Sequence, residues 1–134
     1  NLTTLTKIGE SYLKTKTKEW GYDLNVLKIT SPPSSTSPNG AANGNKYPFF
    51  AMFGIHAREV APPEVGLRFA EKLVEGYGTD ADVTQILDTT EVHLLLLANP
   101  DGRVVVDEQP KLRSVRRKNM NFEDQSSLEG LCEG

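Results

Sequence analysis

The stretch Phe49-Phe-Ala-Met-Phe-Gly-Ile55 is an unbroken apolar run, and it is the segment that decides the expected fold. A run of this length, preceded by the turn signal Tyr47-Pro48, predicts a buried β-strand. The run ends at His56, where polar residues begin. Because functional groups in α/β sheets gather where strands end and loops begin, His56 occupies a favourable place for a site.

The next segment predicts a helix. Pro62-Pro63 suits the first turn of a helix, and Glu64 adds a negative charge at its positive end. Apolar side chains then recur at helical spacing and are predicted to line one face: Val65, Phe69, Ala70, Leu73 and Val74. Gly76 or Gly78 is expected to end this helix.

A short second helix and a second apolar strand follow. Asp80 begins the helix, whose predicted inward side chains are Val83, Ile86 and Leu87. Residues 91–98 predict another buried strand. Strand, helix, helix, strand is a crossover unit, which favours parallel pairing of the strands that contain Phe49 and Val92. The order predicts an α/β fold with a mixed, partly parallel sheet flanked by helices.

The flanking segments give weaker patterns. Thr4 can cap a helix with an apolar stripe of Leu5, Ile8, Tyr12 and Leu13. Residues 22–30 alternate enough to form a strand. Residues 31–46 are rich in Pro, Ser, Asn and Gly, which predicts a long flexible loop within one domain and not a domain boundary. Residues 102–124 are polar and predicted to be irregular.

His56 and Glu59 are candidate metal ligands. Side chains three residues apart lie on one face of a helical turn, so an imidazole and a carboxylate at this spacing can converge on one point. Nitrogen and oxygen ligands at such a point suit Zn²⁺. Arg58 adds a fixed positive charge between them. His-x-x-Glu also arises by chance at solvated helix starts, so the spacing alone is weak evidence.

Two further blocks make a recognisable set. The strand of residues 91–98 runs into Asn99-Pro-Asp-Gly102, and the basic string Arg116-Arg-Lys-Asn119 comes later. Together with His56-Ala-Arg-Glu59, and in this order, they resemble the carboxypeptidase A-like zinc metallocarboxypeptidases. The resemblance runs from about Gly9 to the last residue, and it is nearest to the digestive and bacterial branch of that family.

The resemblance implies roles for individual residues. His56 and Glu59 match the first two zinc ligands, and Arg58 matches an arginine that helps to hold the peptide substrate. Arg117 matches the arginine beside the scissile carbonyl, where a planar, always-charged donor stabilises an oxyanion. The turn Asn99-Pro-Asp-Gly102 matches a structural element without chemistry of its own. One position departs from the family pattern, since Arg116 stands where the family usually has Trp before the Arg-Lys pair.

The family's remaining site residues come after the last residue of this sequence. They are an Asn-Arg pair for the substrate carboxylate, a third zinc ligand that is a second His, a general-base Glu and a capping Tyr. Because a catalytic zinc needs three protein ligands, residues 1–134 are expected to be the N-terminal part of one catalytic domain and inactive alone. Cys132 resembles a family cysteine that pairs further downstream, and the missing C-terminal half is the expected partner.

His93 is the only other histidine, and we predict that it is not the third ligand. It lies within the strand of residues 91–98 and does not match the family's third-ligand position. Geometry, and not presence alone, decides a metal site. A strand histidine with a hydrogen bond, or one that faces the sheet edge, is the ordinary interpretation.

Composition excludes several function classes. The net charge of −3 over 134 residues gives no reason to expect nucleic acid or an anionic membrane as a partner. No apolar run approaches the roughly 20 residues of a membrane span. The basic residues 111–118 lack interleaved aromatics, and the resemblance implies that they recognise the C-terminus of a peptide. A secreted location is implied by the family branch alone.

Two other functions remain open. A related zinc amidase or N-acyl amino acid deacylase shares His-x-x-Glu and an arginine, although the digestive-type blocks favour a carboxypeptidase. A truncated, non-catalytic binding domain is the non-enzymatic alternative. Zinc titration and cleavage of free C-terminal residues against acyl-amino acids separate the three.

Overall fold

The computed structural model describes residues 1–32, 46–108 and 117–121. The elements in these ranges are four strands, β1 (Thr3–Glu10), β2 (Asp23–Ile29), β3 (Tyr47–Met52) and β4 (Thr90–Leu95), and four helices, α1 (Tyr12–Thr17), α2 (Ala61–Gly76), α3 (Ala81–Thr89) and α4 (Pro100–Glu108). No helix in the described part of the chain is long and apolar enough to cross a bilayer.

The four strands form one mixed sheet in the order β1-β2-β4-β3. β3 pairs in parallel with β4, and Phe49 lies opposite Val92, which confirms the pairing predicted from the crossover. β2 is antiparallel to both β1 and β4. The predicted class, an α/β fold with a mixed, partly parallel sheet flanked by helices, is confirmed.

The core lies between the sheet and helices α2 and α3. The largest fully buried side chains in it are Ile29 from β2, Leu87 from α3, and Val92 and Leu94 from β4. Burying each such side chain contributes about 1.5–3 kcal/mol. The Asp80 side chain accepts hydrogen bonds from the amides of Asp82 and Val83 and so begins α3 as predicted.

The N-terminal helix predicted from Thr4 is wrong, because residues Thr3–Glu10 form strand β1. Leu5 and Ile8 are 67% and 56% exposed, so their three-residue spacing marks no core-facing stripe. Every second residue of β1 faces the same side of the sheet, and the Thr-rich sequence suits that pleated surface. β1 pairs antiparallel with β2, and seven residues of β2 lie opposite residues of β1.

Burial also differs from the prediction on α2 and β3. Phe49 and Phe50 are each about half exposed, because β3 is an edge strand of the described sheet. On α2 the buried residues are Gly66, Ala70 and Leu73, whereas Val65, Phe69 and Val74 are exposed, as is Ile86 on α3. Gly66 is buried because Phe53 packs against it, and an added Cβ there would lie 2.7 Å from the ring.

The irregular segment predicted over residues 102–124 is wrong in its first part, because Pro100–Glu108 is helix α4. The Asn99 side chain accepts a hydrogen bond from the Gly102 amide at 3.0 Å and begins that helix, with Pro100 at its first position. The predicted loop 31–46 falls mainly on residues 33–45, outside the described ranges. Cys132 and residues 111–116 also lie outside them.

Candidate metal centre

The site is built on the extension of the β3–β4 pair beyond the strands themselves. The Phe53 amide donates to the Leu95 carbonyl at 2.9 Å, the Ala98 amide to the Phe53 carbonyl at 2.9 Å, and the Asn99 amide to the Gly54 carbonyl at 3.0 Å. Gly54 has φ +62°, a left-handed conformation that favours glycine. The backbone turns there, and His56 follows at the end of the parallel pair.

His56 and Glu59 converge in the loop between β3 and α2. The Glu59 amide donates to the His56 carbonyl at 3.2 Å, which closes a single turn and places both side chains on the same side. His56 Nδ1 lies 2.9 Å from Glu59 Oε1. The two side chains remain 39% and 43% exposed, so the pair is accessible from solvent.

Arg117 joins this pair from a distant part of the chain. Its Nη2 lies 3.0 Å from His56 Nε2 and 3.2 Å from Nδ1. Its carbonyl accepts a hydrogen bond from the Ala57 amide at 3.1 Å, so the backbone also holds it beside the loop. Because Nη2 is almost equidistant from the two ring nitrogens, the guanidinium lies over the face of the imidazole and not along the lone pair of either nitrogen. In the tautomer that carries its proton on Nδ1, the ring donates Nδ1–H to Glu59.

The His56–Glu59 pair fits a partial zinc site. Two ligands on a tetrahedral zinc, each bonded at about 2.0–2.1 Å, lie roughly 3.4 Å apart. The observed 2.9 Å between Nδ1 and Oε1 is a hydrogen-bond distance, and a widening of about 0.5 Å reaches that separation. Within residues 1–32, 46–108 and 117–121, no group of three or more His, Cys, Asp or Glu side chains could hold a metal ion.

A cleft lies beside the pair. Its walls come from the end of β3, the loop that follows β4 and the Arg117 segment: Met52, Ile55, His56, Ala98, Asn99, Arg117, Lys118 and Asn119. His56 and Arg117 therefore border a shared space with one further cationic residue, Lys118, and two amide residues, Asn99 and Asn119. Arg58, the fourth residue predicted for the site, lies half-buried in the His56 loop and does not line this cleft.

Asn99 was predicted only as the first residue of a structural turn, yet its side chain lies between two segments of the site. It is 5% exposed, and its Nδ2 lies 3.3 Å from the Ile55 carbonyl and 3.4 Å from the Arg117 carbonyl. The signal that could have identified it is its position as a helix-capping Asn directly before Pro100 and immediately after a strand.

His93 lies in β4, opposite Lys28 and Phe50 in the sheet. Its Nε2 is 3.5 Å from Glu91 Oε2, and its side chain is 29% exposed. Its nearest acidic neighbour is thus a surface carboxylate of its own strand, and not Glu59. This placement agrees with the expectation of a strand histidine.

The model of the zinc carboxypeptidase family matches residues 1–134. The chain belongs to the zinc carboxypeptidase family. Bovine carboxypeptidase A1 is 37% identical over 106 residues, which cover 79% of this chain and 21% of that protein. Mouse carboxypeptidase D is 31% identical over 122 residues, which cover 90% of this chain and 8% of that protein.

The fold of this member of the zinc carboxypeptidase family also matches solved structures. Thrombin activatable fibrinolysis inhibitor superposes with a TM-score of 0.73 at 23% identity, over 94% of this chain and 27% of that one. At this identity the match shows the shared fold. The chain spans about a fifth or less of the curated relatives it matches in sequence.

Proposed function

We propose that this chain supplies the first two zinc ligands and the oxyanion-binding arginine of a metallocarboxypeptidase, an enzyme that releases C-terminal amino acids from peptides. The observation that carries the proposal is the convergence of His56, Glu59 and Arg117 on one point beside an open cleft. These three residues come from two segments of the chain that the fold brings together.

His56 and Glu59 would hold the metal, and the contact at hydrogen-bond distance between His56 Nδ1 and Glu59 Oε1 marks the two atoms that face each other. When bound, Zn²⁺ supplies a Lewis acid that polarises a carbonyl and lowers the pKa of water. The chain's own contribution is orientation, because the turn closed by the Glu59 amide fixes both donors on one side of the loop. Membership of the zinc carboxypeptidase family supports this ligand assignment.

Arg117 stabilises negative charge on the substrate. Its guanidinium borders the cleft, and a planar donor in a fixed position binds a developing oxyanion more strongly than it binds a neutral carbonyl. To do so it must exchange its contact with His56 for one with the substrate. Arg58, in the same loop as the ligands, is proposed to hold the peptide substrate at the edge of the site.

The third zinc ligand and the general base are proposed to come from further chain in the whole protein. The part of the chain described here brings no third ligand to His56 and Glu59, and the matched relatives are about five or more times longer than the aligned segment. Residues 1–134 alone are therefore proposed to be inactive. A secreted location is proposed from the family branch only.

The exposed edge strand β3 also supports the proposal that further chain completes the catalytic domain. Tyr47, Phe49, Phe50 and Met52 on β3 are 45–79% exposed. An apolar edge strand is a ready template for another strand and an aggregation risk when uncovered. We propose that the continuing part of the catalytic domain covers it.

The test uses the full-length protein and two substrate types. A peptide with a free C-terminus should lose its last residue in a zinc-dependent reaction, and the same peptide with an amidated C-terminus should not. An N-acyl amino acid tests the amidase alternative. Preferred cleavage of the acyl-amino acid, or no cleavage with stoichiometric zinc bound, would count against a carboxypeptidase.

A further inference from the structure

We propose that Asn99 is a positioning residue that fixes the distance between Arg117 and the metal loop, which is the segment of residues 53–60 between β3 and α2. This proposal rests on the proposed function. Asn99 lies outside the ligand set, and it contacts the backbone of each segment through one side-chain amide.

The contacts of Asn99 account for all of its polar atoms. Its backbone amide donates to the Gly54 carbonyl at 3.0 Å, and its carbonyl accepts from the Arg103 amide at 3.1 Å. Its Oδ1 accepts from the Gly102 amide at 3.0 Å. Its Nδ2 faces two carbonyls, those of Ile55 and Arg117. The need of these carbonyls for a donor, and of Gly102 for an acceptor, fixes the orientation of the amide.

The two contacts of Asn99 Nδ2 join the two segments that form the site. Ile55 directly precedes the ligand His56, and Arg117 is the residue whose guanidinium lies against the His56 ring. The Ala57 amide donates to the same Arg117 carbonyl at 3.1 Å, so this oxygen receives one bond from the metal loop and one from Asn99. A shift of the Asn99 side chain therefore changes the position of both groups at once.

The room for this amide is provided by a glycine. A Cβ on Gly102 would lie 2.7 Å from Asn99 Oδ1, 2.8 Å from Nδ2 and 3.0 Å from Ala57 Cβ. At the first two distances the Asn99 amide would have to shift, so the lack of a side chain at Gly102 permits the close packing of this amide against the loop that holds His56. Asn99 and Gly102 thus act together as the first and fourth residues of the Asn-Pro-Asp-Gly turn.

The substitution that isolates the proposed role is Asn99→Asp. The Asp side chain has the same shape and keeps the helix-capping oxygen, but it directs a carboxylate oxygen at two carbonyls in place of a donor. Asp101→Asn is the matched control on the same turn, because Asp101 Oδ2 contacts the Leu13 amide of α1 and not the site.

The readout is amide hydrogen exchange in the full-length protein, combined with kinetics. In the Asn99→Asp protein, exchange of the Ala57 amide should quicken by about tenfold or more while the Val92 amide in the core keeps its rate, because local openings differ in free energy from global unfolding. The kcat should fall by roughly 10- to 100-fold, as expected for a misplaced group. Asp101→Asn should leave the Ala57 amide unchanged.

Two results would overturn the positioning role. One is an unchanged Ala57 rate, and the other is an equal acceleration at Ala57 and Val92, which would mean a general loss of stability. If Asn99→Asp does not fold, Asn99→Ser replaces it, since Ser keeps a capping oxygen but cannot reach both carbonyls. A wild-type protein without peptidase activity would contradict the proposed function, while the exchange rates would still decide the role of Asn99.

Discussion

Arg117 Nη2 lies 3.0 Å from His56 Nε2, although the two residues are 61 positions apart in the chain. The contact joins the segment that follows α4 to the loop that follows β3. It places a permanent positive charge against the imidazole that is proposed to bind zinc. The relationship defines the candidate site more sharply than the His-x-x-Glu spacing does, because spacing alone says nothing about a third group.

Removing the imidazole should weaken zinc binding. His56→Gln takes away a proposed ligand, so zinc affinity should fall by more than the roughly 10- to 100-fold that follows loss of an outer contact. Zinc titration of the full-length protein measures this. His93→Gln is the control, because His93 lies beside Glu91 on β4. Equal zinc affinity of the His56→Gln and wild-type proteins would contradict the ligand assignment.

Exchanging Arg117 for Lys should lower turnover without removing the metal. Lys keeps the charge but loses the planar, multiple-donor geometry. The kcat should fall by about 10²–10³-fold, as observed when one oxyanion donor is lost, while KM changes less. Steady-state kinetics with a peptide of free C-terminus and a zinc assay on the same sample measure the two effects. Loss of zinc together with activity would point to a structural role for Arg117.

Gly54→Ala should destabilise the protein by about 2–4 kcal/mol, from left-handed strain and overpacking together. Gly54 has φ +62°, and an added Cβ would lie 2.7 Å from Leu97 Cδ1 and 3.1 Å from Pro63 Cγ. Gly78→Ala is the control, because Gly78 also has a positive φ, +82°, but a Cβ added there would have no atom within 4 Å. Its cost should be about 1 kcal/mol, from strain alone. Urea unfolding compares the two, and equal losses would contradict the steric argument.

Acid should weaken the pairing of β2 with β4. Lys28 Nζ lies 2.8 Å from Glu91 Oε1, and this hydrogen bond holds the pKa of the Glu91 carboxyl below its ordinary value of 4.5. A depressed folded pKa gives stability that is present above 4.5 and is lost as the pH falls through the folded pKa. The Glu91→Gln protein should therefore lose less stability than wild type below pH 4.5.

The measurement for this pair is the urea midpoint as a function of pH. Glu91→Gln keeps the size of the side chain and removes only its charge. Asp82→Asn on the exposed first turn of α3 serves as a control for general charge removal. Parallel pH profiles for wild type and Glu91→Gln would contradict a contribution from the Lys28–Glu91 pair.

The sequence predicted those elements whose local pattern agrees with their tertiary environment. The parallel pair of β3 and β4 was predictable because two apolar runs flank two helices that begin at Ala61 and at Ala81. The strand of residues 23–29 was predictable from alternation. The contact between the His56 and Glu59 side chains was predictable because a single turn suffices to bring them together, whereas their role as metal ligands stays a prediction.

Other features depend on contacts that no local pattern records. β1 was predicted as a helix because Leu5 and Ile8 are three apart, yet both are exposed and β2 supplies the pairing. Helix α4 was missed because its Val-rich sequence is a poor helix former, whereas the cap Asn99 and Pro100 carry the signal. The role of Asn99 is visible only once the fold brings the Ile55 and Arg117 carbonyls to one side chain.

The most direct test of the account is zinc stoichiometry measured together with C-terminal residue release on the full-length protein, in parallel with residues 1–134 alone. The account predicts one tightly bound zinc and release of free C-terminal amino acids for the full-length protein. For residues 1–134 alone it predicts weak, chelator-labile zinc and no activity. Tight one-to-one zinc binding by residues 1–134, or a full-length protein that binds no zinc and cleaves no peptide, would contradict it.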